Sequence, residues 1–172
     1  MAIIRAETPS DVAAIHTVNK AAFDGREAEP RLVAAIRHTD DFIPGLSLVA
    51  EEDGKIVGHI LFSRIHIKTD NGDVPALALA PMAVLPEYQG RGIGSLLVRR
   101  GLEECKRLGG KIVIVLGHIN YYPRFGFSSQ MARALECPYG DCGEAWMAIE
   151  LQPGALEGVR GRVIYPEAFR EV

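Results

Sequence analysis

Three glycines within five residues mark the segment of this chain whose residue types point most directly to chemistry. The run is Gln89, Gly90, Arg91, Gly92, Ile93 and Gly94. It joins an apolar stretch that ends near Val84 to an amphipathic pattern, so we expect it to lead into a helix. The first turn of a helix directs unpaired main-chain N–H groups and the positive end of the helix dipole outward. The segment therefore predicts a site for a phosphate or pyrophosphate group.

The spacing of these glycines differs from two common phosphate-binding motifs. No Gly-Lys-Ser/Thr follows, as the Walker pattern requires, and Ser95 stands where the dinucleotide fingerprint has its last glycine. On the glycines alone, an ordinary turn between a strand and a helix stays open as the structural alternative.

A proline inside the preceding apolar stretch marks a second candidate site. Residues 74–84 have the composition of a strand, but Pro81 cannot donate a hydrogen bond to a neighbouring strand. It predicts an edge, a bulge, or a place where this strand separates from its neighbour. Beyond such a separation, the main-chain N–H groups of Met82, Ala83 and Val84 could bind an extended ligand. An ordinary bulge with nothing bound is the alternative.

The elements that must position these two sites follow from periodicity and turn chemistry. Residues 46–84 contain three β-rich runs joined by turns at Asp53-Gly54 and Asn71-Gly72, which predicts an antiparallel meander. Apolar positions between 93 and 108 predict a helix, and residues 112–116 form a continuous apolar strand. A strand, a helix and a strand in this order predict a parallel pair, with the glycine turn at the strand ends where open α/β sheets bind ligands.

Composition limits the function classes that this chain could serve. The formal net charge of -3 over 172 residues gives no general basic surface for nucleic acid. The N-terminus does not resemble a signal peptide, and no apolar run approaches the roughly 20 residues that span a bilayer. We therefore expect one cytoplasmic domain that contacts neither nucleic acid nor membrane.

The cysteines predict neither a disulfide framework nor a metal site. They are odd in number and lack the paired spacing of zinc ligands. We expect reduced thiols, with Cys105 in the core on the apolar face of a helix. Cys137 and Cys142 flank a Pro-Tyr-Gly turn.

Two segments carry a resemblance to a known family. Residues 85–98 resemble the coenzyme A-binding motif of the GNAT acetyltransferase superfamily, and residues 122–127 resemble its Tyr-x-x-x-Gly-Phe segment. With the Pro-Gly-Ala-Leu run at 153–156, the chain is similar to the YhbS-like branch of that superfamily. The resemblance implies an α/β fold with a mixed, mostly antiparallel sheet, a parallel pair at the cofactor cleft and flanking helices. It implies a GNAT domain over 1–152 and an extension, 153–172, packed on the same domain.

The resemblance also implies an activity and a set of site residues. It implies an N-acetyltransferase that moves an acetyl group directly from acetyl-CoA, without a metal, to a primary amine of a small molecule or protein. A non-catalytic acyl-CoA-binding sensor or interaction module is the alternative. Tyr122 would stand near the donor sulfur as a catalytic acid, and a main-chain amide near Val84 would hold the acyl carbonyl. The implied cofactor-binding residues are Met82, Ala83, Val84, Gln89, Gly90, Arg91, Gly92, Ile93 and Gly94.

Several features stay open at this point. A purely structural Tyr122, with its hydroxyl bonded to backbone, is one alternative. Val115 stands where the family pattern carries an asparagine, so Gly117, His118 or Asn120 would have to replace that contact. In this fold class the linker between the first two helices often lies over the acceptor site, yet solvated surface charge is the favoured interpretation of its Glu27 and Glu29. The general base is unranked, and its candidates are Glu27, Glu29, His118, Asp141 and Glu144. The acceptor, the preferred acyl length and the assembly are undetermined, and a homodimer through the C-terminal strand is compatible with the sequence.

Overall fold

The computed structural model describes the backbone of all 172 residues and every side chain except that of Glu171. The described residues form one eight-stranded sheet. Its strands are β1 (Ile3–Ala6), β2 (Phe42–Glu52), β3 (Lys55–Thr69), β4 (Gly72–Val84), β5 (Ile112–Leu116), β6 (Leu135–Glu136), β7 (Trp146–Glu150) and β8 (Gly161–Ile164). The main path runs β1-β2-β3-β4-β5-β7, with β8 paired to β3 and β6.

The predicted meander and parallel pair are both confirmed. β2, β3 and β4 pair antiparallel, and β4 pairs parallel with β5. The turn from β2 to β3 has positive φ at both Asp53 and Gly54, at 51° and 77°. That conformation matches the twist of a tight hairpin, which explains why an Asp-Gly pair identified it. The predicted α/β fold class with a mixed, mostly antiparallel sheet is therefore correct.

Three helices of the described chain cover the two faces of the sheet. They are α1 (Val12–Ala22), α2 (Ala28–Arg37) and α3 (Ile93–Arg107). Because side chains alternate along a strand, Leu48 and Ile60 share a core cluster with α3, whereas Val49 and Leu61 pack with α1 and α2. None of the helices in the described residues is long and apolar enough to cross a membrane.

A glycine fixes the distance between α3 and the sheet. A Cβ atom on Gly101 would stand 2.3 Å from the ring of Phe62, so a larger residue could not be accommodated without moving the helix. Cys105, on the same helix, is fully buried as expected, and burial raises the pKa of its thiol to about 12. The helix that follows the glycine turn is thus held tightly against β3.

The C-terminal residues pack against the rest of the fold. β8 extends the sheet beside β3, at His66 to Lys68, and Phe169 is buried in the cluster that contains Ile15 and Leu32. The division of the chain at residue 152 remains a prediction.

One expectation about the cysteines is wrong. Cys137 and Cys142 are joined in a disulfide, and Cys105 is the free cysteine. The Pro-Tyr-Gly-Asp turn brings the two Cα atoms to 6.7 Å, within the range a bridge can span. An odd cysteine count argues against a framework of several bridges, but it does not exclude one local bridge.

Candidate active site

A cleft of about 940 Å³ opens where β4 and β5 separate. The two strands pair at Leu77 with Val113 and at Ala78 with Ile114, while β4 continues to Val84. On its other edge, which pairs with β3, β4 has a bulge. Ile60 pairs with Met82 and Phe62 with Leu79, so one residue of β3 faces two residues of β4, Ala80 and Pro81. The bulge and the separation that Pro81 predicts are therefore both present.

The main chain of β4 beyond the bulge faces the cleft at alternate residues. Leu85 N–H donates to Val57 O of β3 at 2.9 Å. Because hydrogen-bonded residues alternate along an antiparallel pair, Ala83, two residues earlier, also directs its main-chain groups toward β3. Met82 and Val84 direct theirs away from β3, into the cleft. The three free N–H groups expected from the sequence thus reduce to two, because Ala83 directs its N–H toward β3.

The glycine turn forms the adjacent wall of the cleft. Gly90 and Gly92 have φ of 78° and 81°, and Gly92 is the N-cap of α3. The positive φ at both positions is a conformation that favours glycine. A Cβ at either position would meet no atom within 4 Å, so the space in front of the turn is open. The first-turn N–H groups of Ile93 and Gly94 lie at this open end. Such a turn fits a pyrophosphate group.

Two side chains of the turn hold it in place and add charge. Gln89 Nε2 donates to Val84 O at 3.0 Å, which ties the turn to the end of β4. Arg91 is exposed, and its guanidinium lies 4.9 Å from the ring centroid of Tyr88. Arg91 does not line the cleft itself, but its charge lies next in sequence to Gly90 and Gly92, which do.

Tyr122 lines the cleft opposite this wall. The residue is 7 % exposed, and its ring packs edge-on against Tyr121 and Phe127 at centroid distances of 5.1 and 5.7 Å. A Cβ on Gly117 would stand 2.4 Å from that ring, so glycine is needed beside it. Burial raises the pKa of the Tyr122 hydroxyl, which keeps it protonated at neutral pH. No described residue accepts a hydrogen bond from it, so the hydroxyl is available as a donor.

Tyr121 has a position that the sequence did not indicate. Its hydroxyl oxygen lies 2.9 Å from the point where a Cβ of Gly94 would stand, at the first turn of α3. The spacing of the Tyr-x-x-x-Gly-Phe segment selects Tyr122 and leaves Tyr121 for packing or the pocket wall, and Tyr121 does line the cleft. Val115 is buried and offers no polar side chain, whereas Tyr121 places a hydroxyl beside the glycine turn. Tyr121 is thus a better replacement for the missing asparagine than Gly117, whose N–H donates to Ala145 O at 3.0 Å.

Glu27, the N-cap of α2, and Glu29, in its first turn, differ sharply. Glu27 is partly exposed and pairs with Lys20 at 2.8 Å, and the Lys20 ammonium lowers its pKa. Surface charge is the correct interpretation for Glu27. It is wrong for Glu29, which is 5 % exposed and lines the cleft.

Glu29 has one engaged and one unengaged carboxylate oxygen. Oε2 accepts a hydrogen bond from the exposed Arg26, and Oε1 has no partner among the described residues. The sequence did contain a signal for its burial, because positions 29, 32, 33 and 36 form one stripe at helical spacing. Leu32, Val33 and Ile36 on that stripe are all buried. Of the other candidates for a base, Asp141 and Glu144 are exposed, and His118 lines the cleft.

A strand pair that separates beside a glycine turn at a helix N-terminus is the arrangement that the resemblance to acyl-CoA-dependent transferases implies. Residues 12–127 match the acetyltransferase (GNAT) family. The chain belongs to the GNAT family and is an acyltransferase of that family.

Known relatives agree with this assignment. The chain is 46 % identical over 155 residues to the uncharacterized N-acetyltransferase YjhQ of Escherichia coli strain K12, covering 87 % of this chain and 85 % of that protein. It is 34 % identical over 168 residues to the uncharacterized N-acetyltransferase YhbS of the same strain, covering 97 % and 98 %. The resemblance to the YhbS-like branch is confirmed.

Two solved structures share the whole fold. The crystal structure of Escherichia coli YhbS in complex with CoA has a TM-score of 0.88 at 32 % identity, covering 98 % of this chain and 92 % of that one. A GNAT family acetyltransferase from Brucella melitensis in complex with acetyl-CoA has a TM-score of 0.80 at 34 % identity, covering 98 % of both chains.

Proposed function

We propose that this protein is an acetyl-CoA-dependent N-acetyltransferase that transfers the acetyl group directly to a primary amine of a small molecule or protein. The observation that carries the proposal is the geometry of β4. Its bulge and its separation from β5 turn Met82 and Val84 toward a cleft bounded by the glycine turn and Tyr122. The complexes of the two solved relatives with CoA and acetyl-CoA support this choice of donor.

In this proposal the cofactor is bound mainly by the main chain. The first-turn amides of α3 bind the pyrophosphate, and Met82 and Val84 pair with the pantetheine arm as an added strand would. The donor supplies an activated acetyl group as a thioester. The N–H of Val84 stabilises the negative charge that develops on the thioester oxygen, a contribution of roughly 3 kcal/mol for one such donor.

The transfer requires a neutral amine and a protonated leaving group. The nitrogen lone pair attacks the acetyl carbon, the C–N bond forms, and the C–S bond breaks with its electron pair on sulfur. Tyr122 gives its proton to that sulfur, and the nitrogen loses one proton to a base. An amine with a pKa of about 10.4 costs roughly 4 to 5 kcal/mol to deprotonate at pH 7, whereas a thiolate of pKa about 8.5 needs little help. Tyr122 therefore assists without being indispensable.

The decisive experiment measures turnover and binding together. Thiol release from acetyl-CoA is followed across a panel of primary amines, beside calorimetric titration with CoA. Turnover of at least one amine supports the acetyltransferase. Binding of CoA without turnover of any acceptor would instead indicate the acyl-CoA sensor, and absence of binding would remove both.

The cellular setting is part of the same proposal. We place the activity in the cytoplasm with no metal requirement, and a homodimer is compatible with it. Alkylation of thiols in intact cells tests the compartment, because a reducing cytosol would keep Cys137 and Cys142 as thiols although the structure joins them in a disulfide; finding them bridged in cells would contradict the cytoplasmic placement.

A further inference from the structure

The cleft extends past the proposed acyl site into a region bounded by side chains instead of main chain. This acceptor compartment is bounded by the end of α1, by α2, and by the C-terminal segment. The residues that define it are Phe23, Glu29, Leu32, Tyr165 and Phe169. They come from three stretches of the chain, so the compartment exists only in the folded protein.

The compartment adjoins the part of β4 that would hold the thioester. Ala80 packs against the cluster that contains Leu32 and Phe169. It lies two residues before Met82, the first residue beyond the bulge that turns its main chain into the cleft. A molecule in the compartment would therefore approach the acyl group from the α2 side.

The chemistry of the compartment is mostly apolar, and its polar side-chain groups are the hydroxyl of Tyr165 and one carboxylate. Tyr165 and Phe169 pack with ring centroids 4.9 Å apart, and Leu32 is 3 % exposed. Glu29 is the acidic residue among those that line the cleft, and its Oε1 has no partner among the described residues. Arg26 pairs with Oε2, but a buried carboxylate oxygen without a donor is unfavourable, and an amino or ammonium group supplies an N–H donor for Oε1.

The same arrangement discriminates between amines. No lysine or arginine lines the compartment within the described residues, since Arg26 is exposed and Arg124 lies over the ring of Tyr121 on the cofactor side. The cation beside Glu29, Arg26, is already paired with Glu29 Oε2, so a carboxylate on the acceptor would be buried there without a free cation, which opposes binding. A peptide backbone would bring N–H and C=O groups that the apolar side chains of the compartment cannot pair.

We propose that Glu29 binds the amino group of the acceptor, which enters as an ammonium ion and loses one proton to water before its lone pair attacks, and that the acceptor is a small primary amine with an apolar or aromatic body and no carboxylate. This inference rests on the proposed function, whose acyl site adjoins the compartment. It explains the preferred class of acceptor by the side chains that α2 and the C-terminal segment place in the compartment.

The test uses 2-phenylethylamine, phenylalanine and a lysine-containing peptide as acceptors for the intact protein. We expect 2-phenylethylamine to have a kcat/KM at least roughly tenfold above either of the others, because each of them brings a group that the compartment cannot pair. Equal or greater turnover of phenylalanine or the peptide would overturn the substrate class. This comparison needs no variant, so it stands even if substitutions at Glu29 impair folding.

The role of Glu29 is tested by Glu29→Gln, which keeps the shape of the side chain and removes its charge. We expect the KM for 2-phenylethylamine to rise roughly 10- to 100-fold, as for the loss of a hydrogen bond to a charged group, with an unchanged Kd for CoA. Glu27→Gln, two residues away on the surface, is the matched control and should change neither value. Glu29→Asp, which retains the charge, should restore part of the affinity. A KM for Glu29→Gln equal to that of the unaltered protein would overturn the inference.

Calorimetric binding of 2-phenylethylamine to the CoA complex separates this inference from the proposed function. Glu29-dependent binding without turnover of any amine would retain the acceptor site and reject the acetyltransferase. Turnover that is unchanged by substitution of Glu29 would retain the acetyltransferase and reject Glu29 as the acceptor site.

Discussion

The two halves of the cleft are built from different parts of the polypeptide. The cofactor half consists of main-chain groups from two consecutive segments, the end of β4 and the glycine turn before α3. The acceptor half consists of side chains from α2, the end of α1 and the C-terminal segment, which meet only through tertiary packing. A main-chain site depends on backbone conformation, and glycine and proline report that conformation in the sequence. A side-chain site leaves no comparable local signal.

Tyr122 lines the cleft, and its substitution has the largest expected effect. Tyr122→Phe should lower kcat by roughly 10- to 1,000-fold through loss of a general acid, with the Kd for CoA nearly unchanged. Steady-state kinetics beside calorimetry measures both quantities. An unchanged kcat would reject the role of Tyr122 and leave its ring as a structural element.

The glycine turn tests whether the cofactor half depends on backbone conformation. Gly92→Val forces a β-branched side chain into a φ of 81°, a strain of roughly 1 to 3 kcal/mol, so we expect CoA affinity to fall by roughly 10- to 100-fold. Gly158→Val is the matched control, because Gly158 has a φ of 72° and equally open surroundings but lies before β8. Equal losses of CoA affinity in the two variants would show that general destabilisation explains the effect.

A buried polar group outside the cleft sharpens the contrast with Glu29. His59 is fully buried, with ring nitrogens 3.1 Å from Asn19 Nδ2 and 2.9 Å from Ser47 Oγ, so both nitrogens are engaged. Ser47 in turn donates to Glu7, which pairs with Arg37 at 2.9 Å. Burial lowers the pKa of His59 to about 3, with a smaller contribution from the charge of Arg37.

This depressed pKa makes stability depend on pH in a defined direction. His59 stays neutral in the folded protein, whereas the unfolded chain takes up a proton below about pH 6.5. The stabilisation that comes from keeping His59 neutral is therefore complete above about pH 6.5 and is lost as the pH falls toward 3. At pH 5 we expect the free energy of unfolding to be lower by roughly 2 kcal/mol. Denaturant unfolding at pH 8 and pH 5 measures the difference. His59→Gln should remove most of it and the partly exposed His66→Gln should not, and equal stability of the unaltered protein at both pH values would contradict this account.

Tyr121 gives the smallest expected effect and tests whether the cofactor half also uses a side chain. Loss of its hydroxyl beside Gly94 in Tyr121→Phe should raise the Kd for CoA by roughly threefold to tenfold, the range for a neutral hydrogen bond. The kcat at saturating acetyl-CoA should stay within roughly twofold. Tyr139→Phe, whose ring packs on Tyr165 in the other half, should leave the Kd for CoA unchanged. If both variants bind CoA as the unaltered protein does, Tyr121 is part of the wall alone.

The cofactor half of the site was accessible to sequence reasoning because each signal was local. Asp53-Gly54 predicted its hairpin through positive φ, and Pro81 predicted the bulge of β4 because a proline has no N–H. The strand alternation that turns Ala83 toward β3 required the register of the two strands. The position of the Tyr121 hydroxyl likewise required the packing of its segment against α3.

The acceptor half was only partly accessible. The helical stripe that contains Glu29 could have indicated its burial, but its opening into a cleft depends on Tyr165 and Phe169, more than 130 residues further along the chain. The bridge between Cys137 and Cys142 depends on a local turn geometry that cysteine counting does not describe. In both cases the missing information was three-dimensional proximity.

The central claim is that the separation of β4 from β5 and the adjoining glycine turn together form the acetyl-CoA site. A crystal structure of the protein with acetyl-CoA tests it most directly. We predict the pyrophosphate oxygens within hydrogen-bond distance of the main-chain N–H groups at 90–94 and the thioester oxygen within that distance of Val84 N–H. A coenzyme bound elsewhere, or a β4–β5 gap closed by strand pairing in that crystal, would contradict the account.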